Sequence, residues 1–340
     1  MKEMNKIYQH MGDSLSKELY GYRVFYNATQ DDMWLKKIIN TTSEGREFLT
    51  RLYENKDSEK IIFGTGAWGK ELADTLQIKW DYFADNHKQQ EVCCNIPVLS
   101  FESLCREHRN AVIVIATRLY YKEIFQQLLG EGFPEGQIIN MGKMIDDMSR
   151  RQYFDLEVFP HSEHEIFVDC GCFDGTTSLN FIKWCHEKYD SIIAFEPDPD
   201  NYIKCKENFQ KHSVDRVHLY QTGLWEKQTE LMFEAVSTGS SQISNSGLER
   251  IKVDSLDNLL GNVPGTFIKM DLEGAEYQAL LGGRGYLMKY HPNLAISLYH
   301  KAEDIWTIPK LLLELYPKYT FYIRHYSVLA SETVLYAKAC

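Results

Sequence analysis

The 340-residue sequence predicts an α/β chain: a helical segment, then a small module of parallel sheet, then a larger one. Three observations lead there. Apolar runs of strand length alternate with helical stretches through most of the chain. Two of those runs end in glycine turns that open helices, one at Gly64, Gly66 and Gly69, the other at Gly171 and Gly175. Between the two series, residues 143–163 carry Asp146-Asp147, Arg150-Arg151 and the polar run His161-Ser162-Glu163-His164, which reads as a connecting helix and linker.

Residues 1–57 place apolar pairs at helical spacing, as in Trp34-Leu35 with Ile38-Ile39 and Phe48-Leu49 with Leu52-Tyr53, with Ser43 as a helix cap. A small Rossmann-like domain is expected over 58–142. A strand at 60–63 leads into Gly64-Thr65-Gly66-Ala67-Trp68-Gly69, a helix follows over 70–78, and a second strand over 80–84 stops at Asp85. Strand, glycine fingerprint, helix and acid in that order form the dinucleotide pattern. Further strands are expected at 111–116 and 137–141, with a helix at 121–129 between them. The second module, 164–340, restarts the alternation with strands at 166–169, 192–195, 217–221, 267–270 and 294–299. Two β-rich runs at 321–325 and 333–337 close the chain as an antiparallel hairpin at one edge of that sheet.

Composition excludes several classes. An apolar content of 44% is that of a globular protein, and there is no 18-residue apolar run to span a bilayer. The opening Met-Lys-Glu-Met-Asn-Lys lacks the apolar core of a signal peptide, so a cytoplasmic location is expected. The eight cysteines include no C-x-x-C pair, which reads as free thiols in a reducing compartment. A net charge of −11 without a basic, aromatic-interleaved run argues against nucleic acid as a partner. A small molecule is the expected partner, and nothing in the sequence fixes an oligomeric state.

The second glycine turn is the more informative. Its pattern from Asp169 is D-x-G-x-x-x-G, and no Lys-Ser or Lys-Thr follows to hold phosphate. Glu196 ends the next strand, where an acid binds both ribose hydroxyls. An adenosyl group without phosphates fits, hence S-adenosylmethionine. The plainer alternatives are a structural strand-to-helix turn and a solvated strand-end carboxylate.

Residues 165–337 resemble the FkbM-type methyltransferase family, a branch of the class I S-adenosylmethionine-dependent enzymes. The resemblance rests on Val168-Asp169-Cys170-Gly171, Phe195-Glu196-Pro197, Val253-Asp254-Ser255-Leu256-Asp257 and the segment Ile268-Lys269-Met270-Asp271-Leu272-Glu273-Gly274-Ala275-Glu276, in that order. It implies a seven-stranded sheet with its last strand antiparallel, and O-methylation of a sugar, surface-polysaccharide precursor or natural-product hydroxyl. The cofactor is expected along Asp169, Gly171, Cys172, Phe173, Asp174, Gly175, Thr176, Glu196 and Pro197, with Asp271 over the sulfonium. Two departures stand out. Cys172 and Phe173 occupy places where the family has small residues, and strand 294–299 lacks the carboxylate often found there. The smaller module is similar to Rossmann-like domains appended to bacterial surface-sugar enzymes, through Phe83-Ala84-Asp85-Asn86 and Ile96-Pro97-Val98. Its glycine loop suits a pyrophosphate, so Gly64, Gly66, Gly69 and Asp85 are expected to hold either a sugar nucleotide or nothing.

Methyl transfer needs donor and acceptor held in line, and a sugar hydroxyl gains from a general base. Asp271 and Glu273 end the fourth strand beside the first, either facing the sulfonium or serving only as a helix start. No metal is expected, because the two carboxylates have no third ligand nearby in sequence. His300, just past the fifth strand, is the expected base, with Lys301 as a clamp and Glu303 or Asp304 orienting the imidazole; the alternative is an ordinary strand-end histidine. Arg324 either binds an acidic substrate or is structural, and the loop at Ser240-Ser241 either closes over the substrate or is an ordinary polar loop. The rival to catalysis is a non-catalytic protein whose two modules hold nucleotides or sugar nucleotides.

Overall fold

A computed structural model describes residues 2–55, 57–87, 89–159, 161–234, 242, 243, 247 and 249–339. The chain forms two compact units. One comprises Gly21–Gln152 with His325–Glu332, the other Met1–Tyr20, Tyr153–Arg324 and Thr333–Cys340. The helical segment expected over 1–57 is therefore divided: its first twenty residues belong with the C-terminal module. Hydrogen bonds of His10 and Gly12 with Phe321 along an edge strand tie them there. Thr42, not Ser43, caps the helix Ser43–Glu54, by accepting from the Gly45 amide.

The first unit is built on β1 (Lys60–Phe63), β2 (Tyr82–Asp85), β3 (Val92–Cys93), β4 (Ile96–Ser100), β5 (Val112–Ile115) and β6 (Ile138–Ile139). Strand order is β3-β4-β2-β1-β5-β6, parallel except for β3 on β4. All four residues of β1 and of β5 are buried, as expected of central parallel strands covered on both faces. Strand β4 was not expected, because Pro97 interrupts its apolar run. It nonetheless pairs with β2 through Val98 opposite Phe83.

The second unit carries β7 (Glu165–Cys170), β8 (Tyr189–Phe195), β9 (Val217–Tyr220), β10 (Gly223–Leu224), β11 (Thr229–Glu234), β12 (Gln242–Ile243), β13 (Glu249–Asp254), β14 (Phe267–Met270), β15 (Asn293–Ser297), β16 (Thr320–His325) and β17 (Thr333–Lys338). Seven of them form a sheet in the order β16-β17-β15-β14-β7-β8-β9. The five strands from β15 to β9 are parallel, while β17 runs antiparallel to β15, so the terminal hairpin lies where expected. A small second sheet, β10-β13-β11-β12, was not expected and has its own core of Phe233, Ile251 and Val253. Ser240 and Ser241 lie outside the described residues. Beneath the central strands an aromatic layer stacks Phe167 on Phe181 at 4.3 Å, with Trp184 and Phe267 beside them. Each ring of this size buries a large apolar area. Among the described residues, no helix is long and apolar enough to cross a membrane.

The sheet order has a functional consequence. The chain leaves β7 toward β8 on one side and returns at β14 on the other, so a crevice opens at the carboxyl ends of β7 and β14, the position where α/β sheets bind ligands.

Candidate active site

Three segments meet at that edge. The turn after β7 is held from below, since the amides of Gly171 and Cys172 both donate to the Phe195 carbonyl at 3.0 Å. Gly171 has φ +80°, and a Cβ on it would stand 2.0 Å from the Asp271 carbonyl oxygen. This glycine is thus demanded by the neighbouring loop as well as by its own turn. Gly175, also at φ +80°, precedes the helix Thr176–Trp184 and faces Phe209 and Cys205. Asp174 accepts from the Thr176 amide at 2.9 Å, closing the turn into the helix. Cys172 is buried, its Sγ 3.5 Å from Cys205 Sγ, so it packs behind the turn.

Asp169 takes the structural alternative. Fully buried, it accepts from Ser178 Oγ at 2.7 Å and lies 3.2 Å from Lys269 Nζ. Lys269 in turn donates to the Gly171 carbonyl at 2.6 Å. Burial works against the Lys269 charge, but Asp169 and Asp271 outweigh it and hold its pKa above the ordinary lysine value. The pair therefore fixes the turn from inside the sheet. The sequence quotes Lys269 in the fourth motif without revealing this partner, because contact across parallel strands depends on register: Lys269 sits opposite Asp169.

Glu196 is 5% exposed and accepts two backbone hydrogen bonds at 2.9 Å, from Phe173 on Oε2 and from Asp198 on Oε1. Burial pushes its pKa up to about 7, against those two donors. Each oxygen retains a lone pair for a further donor. Asp198 caps the helix Pro199–Lys211, accepting from the amides of Asp200 and Asn201, and Pro197 leads into it.

On the other side of the crevice, Asp271, Glu273 and His300 come together as the sequence suggested. Asp271 Oδ2 accepts from Tyr153 Oη at 3.0 Å, and Ser297 also donates to this carboxylate. Burial raises the Asp271 pKa, but Lys269, His300, Ser297 and Tyr153 outweigh it and hold it below the ordinary value. Glu273 has φ +50°, a strained conformation for a residue with a Cβ, and burial raises its pKa. The His300 imidazole has Nδ1 2.8 Å from Glu276 Oε1, while Nε2 lies 3.6 Å from Asp271 Oδ1 and 3.5 Å from Glu273 Oε2. Burial opposes the ring's charge, but Glu276, Glu273 and Asp271 prevail and raise its pKa well above the ordinary histidine value. The partner that orients the ring is Glu276, rather than Glu303 or Asp304 as expected.

Lys301 is exposed and packs over Gly274, beside the cluster. Arg324 lies elsewhere, with its guanidinium 2.6 Å from Asp13 Oδ2 and bonded to Ser16 Oγ, so it is structural. The residues that sequence reasoning missed are Tyr153, Glu276, Lys269 and Ser297. Tyr153 comes from the supposed linker and carried no signal. Glu276 closed the fourth motif, and Ser297 lies on the strand that lacks the carboxylate often found there.

In the first unit, Gly64 has φ +118°, and Gly69 abuts the Gly64 carbonyl. Asp85 holds this loop: its Oδ2 accepts from the Thr65 amide at 3.1 Å and from Thr65 Oγ1 at 2.8 Å, and its Oδ1 from the His87 amide at 2.9 Å. Burial raises its pKa, but these donors together bring it below the ordinary value. A cavity of about 410 Å³ in this unit is lined by Tyr53, Ser58, Lys60, Gln77 and Asp81. Lys60 begins β1 and Asp81 precedes β2, so the cavity lies at the amino ends of the strands, opposite the glycine loop.

Comparison with known proteins agrees with the fold. Residues 169–326 match the family model of the methyltransferase FkbM domain. The hexuronic acid methyltransferase AglP of Haloferax volcanii is 31% identical over 158 residues, which is 45% of this chain and 63% of that protein. Methyltransferase 1 of Beauveria bassiana is 25% identical over 186 residues, 46% of this chain and 73% of its own. The chain thus spans less than two thirds of the first of these relatives. The crystal structure of a methyltransferase FkbM from Methylobacillus flagellatus superposes with a TM-score of 0.54 over 87% of this chain and 99% of that one, at 18% identity, a likeness of fold. The turn after β7, the acid ending β8 and the carboxylate rim after β14 therefore lie within residues 169–326, the stretch that matches the methyltransferase FkbM domain.

Proposed function

We propose that this domain binds S-adenosylmethionine and transfers its methyl group to a hydroxyl of a sugar, with a hexuronic acid or a glycan bearing one as the first acceptor to try. The observation that carries the reading is one crevice bounded by a glycine turn, the acid Glu196 and a carboxylate rim. The residues fit the cofactor: Gly171 and Gly175 leave the turn free of side chains at its tightest points, and Glu196 keeps one acceptor lone pair per oxygen for a ribose diol. When bound, the cofactor supplies an electrophilic methyl on a positively charged sulfur.

The chain's own part is mainly positioning. Lys269 and Asp169 lock the turn. Asp271, kept ionised, and Glu273 form an anionic rim where an acceptor hydroxyl can be held and its proton received. Ser297 and Tyr153 fix the Asp271 carboxylate in place. The sugar assignment follows the first curated relative. For the Gly64 loop, we propose a sugar nucleotide or no ligand at all, since Asp85 is already committed to Thr65 and His87.

The test is a mass-spectrometric screen of uronic acids, sugar nucleotides and polysaccharide fragments incubated with the protein and S-adenosylmethionine. The expected result is a gain of one methyl group in place of a hydroxyl hydrogen, abolished by Asp271→Ala. Cofactor binding without methyl gain on any saccharide would contradict the acceptor class.

A further inference from the structure

We propose that the rim is a divalent-cation site whose protein ligands are His300 Nε2, Asp271 Oδ1 and Glu273 Oε2, suited to a first-row ion such as Mn²⁺, Co²⁺ or Zn²⁺. The imidazole carries the inference. His300 is 8% exposed at its side chain, and its Nε2 makes no hydrogen bond although it points between two carboxylates. Those carboxylates stand 3.6 and 3.5 Å away. A charge-assisted N–H···O bond would close to about 2.7–2.9 Å. Two donors that share one ion at about 2.1 Å each, at an angle of roughly 115°, lie about 3.5 Å apart. Measured from Nε2, each carboxylate thus stands at the separation of two ligands that share an ion.

The other side of the ring supports this. Nδ1 lies at hydrogen-bond distance, 2.8 Å, from Glu276 Oε1, which also accepts from the Leu272 amide at 2.7 Å. That distance leaves no room for an ion between them. A carboxylate behind the far nitrogen is how metal-bound imidazoles are oriented: it fixes the Nδ1–H tautomer and aims the Nε2 lone pair outward. Oxygen or nitrogen atoms of Asp271, Glu276 and His300 all lie within 4.8 Å of one another. Exposure separates their roles. Glu276 is fully buried, whereas the side chains of Asp271 and Glu273 are 24% and 28% exposed and open to the crevice. Glu276 therefore stands behind the ring as a positioning residue, and Glu273, held at φ +50°, faces the ion.

An imidazole with two carboxylates suits a first-row ion better than calcium or magnesium, which prefer oxygen alone. Three protein ligands leave positions open for the acceptor. Resting on the methyl-transfer reading, the consequence is that with the ion bound the rim carboxylates are ligands rather than proton acceptors, and an acceptor hydroxyl bound there would lose its proton to solvent at a lower pH than a free hydroxyl. The sequence hid the site because its third ligand comes from the end of the next strand rather than from the fourth motif.

The test uses the full chain, stripped with a chelator and titrated with Mn²⁺ followed by electron paramagnetic resonance, with Co²⁺ absorption as a second probe. One ion per chain is expected, with the affinity lowered about tenfold or more in His300→Ala and in the near-isosteric Glu273→Gln. No uptake at millimolar Mn²⁺, or equal uptake by the wild type and folded Glu273→Gln, would overturn the proposal. Calorimetry with S-adenosylhomocysteine on the stripped protein separates the two readings. Ion uptake without nucleoside binding would leave the cation site standing and remove the proposed function.

Discussion

Glu196 is poised between burial and two backbone donors, and its charge is sensitive to pH for that reason. Its pKa rises from 4.5 to about 7 in the folded chain. Because the folded value lies above the unfolded one, protonation favours the folded state, and that advantage is lost as pH rises from 4.5 through 7. Glu196→Gln should flatten this part of the stability profile in urea titrations; an unchanged slope would show that another group is responsible. Lys269 offers a second residue-scale test. Replacing it with Met leaves Asp169 as a buried carboxylate without its cation, and breaking such a pair costs about 3–5 kcal/mol. Adding Asp169→Leu should recover much of the loss. Urea midpoints that are equal for wild type and Lys269→Met would contradict the role assigned to this pair.

Both glycine turns join a strand to a helix, and their elements make them different. At Gly171 a Cβ would meet the Asp271 carbonyl at 2.0 Å in a left-handed backbone, whereas at Gly66, which caps the helix Ala67–Thr75 with φ −75°, it would meet open space. Gly171→Ala should therefore lower stability by about 2 kcal/mol or more, and Gly66→Ala by about 1 kcal/mol or less. Thermal unfolding of the two variants checks the ordering, and a Gly66 variant that loses more than the Gly171 variant would reverse it. At this scale the strands 166–169, 192–195, 267–270 and 294–299 were legible because buried parallel strands read as unbroken apolar runs. The small sheet was harder. Only the alternation in β13, with Ile251 and Val253 buried between exposed Arg250 and Lys252, signalled it. The rim was legible as three residues but not as an arrangement, since the partner of His300 depends on how the helix Glu276–Gly282 meets the end of β15.

Across the whole molecule, one unit carries the crevice and the other a glycine loop already engaged by its own acid. Addition of S-adenosylhomocysteine should slow hydrogen exchange at 169–176, 196–198 and 271–276 while leaving 60–69 unchanged; protection at 60–69 instead would transfer the nucleoside site to the first unit. The central claim is that the adenosyl cofactor lies in the crevice at the carboxyl ends of β7 and β14, with its ribose on Glu196 at the end of β8. Calorimetric titration of wild type and Glu196→Ala with S-adenosylhomocysteine tests it most directly. One site per chain is expected, weakened about ten- to hundredfold in the variant by loss of about 1.5–3 kcal/mol from a charged acceptor. Unchanged affinity in a folded Glu196→Ala protein, or a second site per chain that disappears with Gly66→Val, would contradict it.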